Sequence, residues 1–148
     1  MNNKIPPPII TVICVLCIYS SGSFFPVFTL SYKSILSSVL ACIGLGLMVL
    51  SAGLFKKFQT TINPLKPENA TYLVTTKTFK LSRNPMYLGM LILLIAASIQ
   101  FNPIGGLFIC AGFITFITLY QIIPEEEAMD NLFGQEFKDY SNKTRRWI

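Results

Sequence analysis

The stretch that decides the fold runs from Asn84 to Pro124, NPMYLGMLILLIAASIQFNPIGGLFICAGFITFITLYQIIP, and contains no charged residue. It is too long for one membrane-crossing helix. It is broken once, at Asn102-Pro103, with Gly105-Gly106 just behind. Proline holds its predecessor out of the helical region and the glycines favour a turn, so the break predicts a hairpin between two apolar helices, about Met86 to Phe101 and about Ile104 to Ile123.

Two further uncharged runs precede it, between Lys4 and Lys33 and between Lys33 and Lys56. They predict spans of about residues 9–28 and 35–55, each long enough for roughly 30 Å of hydrocarbon. The first run also fits a cleavable signal peptide, but its charge before the apolar core is weak and apolar residues continue through Phe24, Phe25 and Val27. In the second, Gly44, Gly46 and Gly53 read as places where a neighbouring helix can approach closely. Hydrophobic residues make up 52% of the 148 and charged ones 13%, with a mean hydropathy of +0.55. That balance argues against disorder, a disulfide-framed secreted module and a nucleic-acid-binding domain. The expected fold is therefore all-α: a single-domain integral-membrane helical bundle of about four transmembrane helices plus a C-terminal amphipathic helix.

The net charge of +5 reads as topology. Loop 56–85 carries Lys56, Lys57, Lys66, Lys77, Lys80 and Arg83 against Glu68 alone, which predicts a cytoplasmic loop, and four spans then put the N-terminus and the segment 124–148 on the same face. The chain has no histidine, so the usual neutral-pH base and the usual metal ligand are missing. Cys14 and Cys17 have C-x-x-C spacing but lie in an apolar span without a second pair, and with Cys42 and Cys110 they read as buried small hydrophobes.

Two polar clusters fall on that face. At the first, Arg83-Asn84-Pro85-Met86-Tyr87, Asn84 is a good N-cap and Pro85 suits the first helical position, so a helix should start at the interface, where its positive end and Arg83 favour an anionic group. A plain interfacial anchor, with Arg83 snorkelling and Tyr87 in an aromatic belt, is the simpler reading of these residues alone. The second begins at Pro124-Glu125-Glu126-Glu127 and continues through Met129, Leu132, Phe133, Phe137 and Tyr140, whose spacing of three and four predicts one amphipathic helix. Glu125 and Glu126, next to hydrocarbon, need partners such as Arg83, Arg146 or a bound cation.

Together these clusters resemble the membrane methyltransferases of the isoprenylcysteine carboxyl methyltransferase and phospholipid methyltransferase group. Arg83, Asn84, Pro85, Tyr87 and Gly89 match a motif R-H/N-P-x-Y-x-G. Glu125, Glu126, Phe133, Gly134, Tyr140, Arg146 and Trp147 match a second, with Met129 and Phe137 as conservative departures, and Thr60-Thr61, Pro64 and Leu73-Val74 resemble the lead-in of bacterial members. The resemblance, from Thr60 to Ile148, implies S-adenosylmethionine held at the membrane face by Arg83, Asn84, Tyr87, Gly89, Glu125 and Glu126. It also implies a lipidic or prenylated acceptor drawn from the surrounding membrane lipids, with Arg146 orienting an anionic group and Glu126 taking a proton where an amine is methylated. Carboxyl methylation is the closer likeness and phospholipid N-methylation the next. A sterol-type reductase shares the first motif, though Met90 follows Gly89 where reductases carry an acid, and a non-enzymatic membrane scaffold is a further reading.

Overall fold

In the computed structural model, which describes residues 5–26, 31–61 and 67–148, the described residues are helical or loop, with no strand. The expected end of the first span at Val27 and Phe28, and Pro64 of the lead-in, lie outside them. Helix α1, Pro7–Ser20, starts on prolines that need donate no hydrogen bond and ends in a 3-10 turn, Ser21–Ser23. It is shorter than the span expected over 9–28, because the Ser-Gly-Ser stretch turns the chain, with the Ser21 hydroxyl donating to the Ile18 carbonyl at 2.6 Å.

Helix α2, Lys33–Lys57, and the continuous helical stretch Pro103–Phe133 are long and apolar enough to cross a membrane, while Pro7–Ser23 and Pro85–Gln100 are apolar but shorter. Short α3, Thr78–Leu81, leads into α4, Pro85–Gln100. The hairpin forms where expected. Asn102, fully buried, accepts from the Gly105 amide at 2.8 Å through Oδ1 and donates through Nδ2 to the carbonyls of Phe25, at 3.2 Å, and Pro26, at 3.4 Å. One side chain thus caps α5, Pro103–Ile117, and ties the segment after the 3-10 turn to the hairpin.

Between α5 and α6, Ile123–Phe133, the helix widens into a π-turn at Thr118–Ile122. Pro124 has no amide proton to give the Tyr120 carbonyl, and a wide turn is one way to absorb that loss. The single amphipathic helix expected beyond Glu125 is in fact two, because Gly134 adopts φ +51° and breaks it. Helix α7, Gln135–Lys143, folds back and buries Phe137 and Tyr140.

Two apolar clusters result. Ile18, Met90, Leu94, Phe113 and Ile117 join α1, α4 and α5, whereas Leu54, Leu73, Val74, Phe79, Phe137 and Tyr140 form a cap over one end of the bundle. Outward faces stay apolar, with Leu16, Val49, Leu50, Leu107 and Phe108 all exposed, as a helix facing lipid requires. Of the four cysteines only Cys110 is buried; Cys17 and Cys42 sit on outward faces and Cys14 is half-buried, so the expectation that all four fill the core holds for one.

Helices α2 and α4 cross where Gly44 meets Gly89: a Cβ on either would lie 2.7 Å from the other's carbonyl oxygen. Gly46 and Gly53 meet nothing within 4 Å, so close approach is confined to Gly44. Gly44→Ala and Gly89→Ala should each destabilise by about 1–3 kcal/mol through overpacking, whereas Gly46→Ala should be neutral or stabilise by up to about 1 kcal/mol through helix propensity. Thermal unfolding in detergent checks the contrast, and equal effects at Gly44 and Gly46 would contradict it.

Candidate active site

The backbone is extended at Ser82, and Ser82, Arg83 and Asn84 each send a donor to the C-terminal tail. The Arg83 amide donates to the Arg145 carbonyl at 3.0 Å. The Ser82 hydroxyl and the Asn84 Nδ2 both donate to the Arg146 carbonyl, at 3.1 and 3.0 Å. Asn84 therefore occupies the N-cap position but its side chain does not cap α4, contrary to expectation, because the tail competes for it.

Arg83 and Arg146 converge on one carboxylate. Glu126 Oε1 accepts from Arg83 Nη2 at 2.7 Å and Nε at 3.2 Å, and from Arg146 Nε at 3.1 Å; Oε2 accepts from Arg146 Nη2 at 2.6 Å. Arg83 Nη1 donates to the Ser141 and Thr144 carbonyls at 2.8 and 2.9 Å, which leaves its fork one N–H. Burial alone would raise the Glu126 carboxyl, but the hydrogen bonds and charges of Arg146 and Arg83 outweigh it and hold it below the ordinary carboxylate range.

The neighbouring carboxylate has the opposite environment. Glu125 lies just past the apolar run and accepts a short hydrogen bond from the Tyr87 hydroxyl. Burial pushes its carboxyl up to about 7, against the lowering effect of the Tyr87 bond and with the charge of Glu126 adding to the rise. Among the described residues its second oxygen has no protein partner. Glu125, Glu126, Arg83, Asn84 and Tyr87 all line a half-open cavity of about 520 Å³ whose other walls are mainly apolar, including Pro6–Pro8, Leu73, Met86, Met90 and Phe137. A largely apolar pocket of this size with a few convergent polar groups is the usual form of a small-molecule site.

Thus the two clusters, far apart in sequence, meet at one cavity. Gly89 does not line it; its contact is with Gly44 and Met48 on α2, so its place in the motif is explained by helix packing. Arg146 also lies outside the lining and reaches the site through Glu126. Sequence reasoning missed the cap residues Leu73, Val74 and Phe79 as cavity walls, and the Tyr140 hydroxyl that donates to the Phe79 carbonyl at 2.7 Å. Their apolar character was the available signal.

A family model described as phospholipid methyltransferase matches residues 32–136. The chain belongs to that family. An uncharacterized protein of Haemophilus influenzae (strain ATCC 51907 / DSM 11121 / KW20 / Rd) is 36% identical over 64 residues, covering 43% of this chain and all of that protein. No solved structure matches. The family match runs from just before α2 into the first turn of α7, so it includes Arg83–Gly89 and Glu125–Glu126 but neither α1 nor the tail that carries Arg146.

Glu126→Gln leaves two guanidinium groups without their anion in a partly buried setting, with side-chain exposures of 13% for Arg83 and 18% for Glu126; a loss of roughly 2–4 kcal/mol is expected. Arg146, 36% exposed, should cost under about 1 kcal/mol on replacement by alanine. Because the folded carboxyl ionises more readily than the unfolded one, its contribution is present above the ordinary value of 4.5 and lost as pH falls through the lowered folded value. Acid unfolding of wild type and E126Q in detergent checks this: the acid-induced loss should be smaller in the variant.

Proposed function

We propose that the protein is an integral-membrane S-adenosylmethionine-dependent methyltransferase acting on a lipidic acceptor, with the cofactor in the cavity between the start of α4 and the start of α6. The observation that carries this is the pair Tyr87–Glu125 at a cavity shared by both motifs, in a chain of a methyltransferase family. The donor set suits the ligand. Glu125 has an unused oxygen for an ammonium or a ribose hydroxyl, the Tyr87 ring can pack against the sulfonium, and apolar walls accept the base. Arg83 is less suited to a ligand carboxylate than its sequence position suggests, since its fork is nearly filled; the first-turn amides of α4, uncapped by any side chain, are the better candidates.

S-adenosylmethionine supplies an electrophilic methyl group on a positively charged sulfur. The chain's own part is to hold donor and acceptor in line and exclude water, tasks for which the cap formed by Leu73, Phe79 and Phe137 is placed. A carboxylate acceptor needs no base. For an amine acceptor a proton must leave, and Glu125 is better suited to take it than Glu126, which two arginines keep ionised and occupied. Arg146, with donors to spare and partial exposure, can orient an anionic acceptor group at the rim. In this reading the chain is one domain with four spans, and the loop after α2, the tail and the site face the cytoplasm.

Purified protein in detergent should bind S-adenosylmethionine and gain thermal stability from it, while NADPH should give neither effect; the reverse would favour a reductase, and no binding of either would defeat the enzyme reading. Glu125→Gln should weaken binding at least about tenfold, the value of one charge-assisted contact. Because a cationic ligand favours ionised Glu125, affinity should rise as pH increases through about 7 in wild type more steeply than in E125Q, measured by isothermal titration. Expression in cells should yield a lipid one methyl group heavier, found by mass spectrometry.

A further inference from the structure

The turn that precedes the two carboxylates is not an ordinary part of its helix. At Thr118–Ile122 the Ile123 amide donates to the Thr118 carbonyl, five residues back. A π-turn inserts one residue into the helical register, and at 3.6 residues per turn one residue is about 100° of rotation. Every side chain after it, Glu125 included, faces about 100° away from where an uninterrupted α5 would aim it. The Tyr87–Glu125 contact therefore depends on the wide turn.

Something must hold that turn. The Trp147 Nε1 donates to Thr118 Oγ1, the first side chain of the π-turn, at 3.1 Å. Trp147 packs beside the core of Ile117 and Ile122, and it is fixed there because the Arg146 carbonyl one residue earlier is gripped by Ser82 and Asn84. Neither Trp147 nor Thr118 lines the cavity. We propose that Trp147 and Thr118 are positioning residues: their hydrogen bond holds the π-turn whose added residue aims Glu125 at Tyr87 across the cavity. This rests on the function proposed above for what the cavity binds, but its geometry does not.

The test uses the full chain in detergent with three variants. Thr118→Val keeps the shape and removes the acceptor oxygen, Trp147→Phe keeps an aromatic ring and removes the donor, and Thr118→Ser keeps the acceptor. Val and Phe variants should each weaken S-adenosylmethionine binding about three- to tenfold, the double variant should be no weaker than either single one, and the Ser variant should bind as wild type. Non-additivity is the mark of one shared interaction. Infrared difference spectroscopy of the unliganded protein, with the Glu125 band assigned by E125Q, gives a readout independent of the ligand. The carboxyl should titrate near 7 in wild type and closer to the ordinary carboxylate range in the Val and Phe variants. Wild-type binding and an unmoved Glu125 titration in both would overturn the proposal. If a variant loses stability, the double variant decides: loss of one shared hydrogen bond costs no more twice than once, and additive losses would overturn the proposal. Should wild type bind no S-adenosylmethionine, the function is refuted while the titration still judges the positioning.

Discussion

Glu126 between Arg83 and Arg146 is the joint on which the arrangement depends. It links three parts that the chain keeps far apart: the entry to α4, the start of α6 and the last residues of the tail. Partial burial makes a lone carboxylate costly there, and two forked cations satisfy it with four hydrogen bonds. Such a joint adds little net stability over a well-packed apolar contact, but removing Glu126 leaves both cations uncompensated. That asymmetry suits a cluster that must set geometry where three chain segments meet.

Around this joint the tail behaves as a brace. Ser141, Thr144, Arg145 and Arg146 give their carbonyls to Ser82, Arg83 and Asn84, and Trp147 reaches the π-turn. The brace spans the two walls of the cavity without filling it. Leu54, Leu73, Val74, Phe79, Phe137 and Tyr140 form a separate apolar cluster, and the Gly44–Gly89 crossing brings α2 and α4 into contact.

What the sequence made legible were features set by local chemistry. The break at Asn102-Pro103 was readable because proline and an N-cap residue act on their own neighbours, and the meeting of Arg83 with Glu126 because charges near hydrocarbon must pair. The less legible features depend on tertiary competition. Asn84 has cap chemistry, yet the Arg146 carbonyl takes its amide; Gly44 and Gly46 look alike on paper, but only one faces α4. Gly134 could have been read as a break, since glycine tolerates φ near +50°, but the apolar spacing across it argued for continuity. The π-turn leaves no signature except Pro124, whose missing amide fits an ordinary helix kink equally well.

Adjacent in sequence, Glu125 and Glu126 show how one interface can hold two carboxylates in opposite states. Successive helical residues point about 100° apart, so Glu126 faces the arginines while Glu125 faces Tyr87 and apolar walls. The first is kept ionised by charge; the second is drawn toward neutrality by burial. One carboxylate is thereby committed to structure, while burial leaves the other raised to about 7. In a chain without histidine, that division provides a group able to exchange a proton near neutral pH without a residue suited to it by its ordinary pKa.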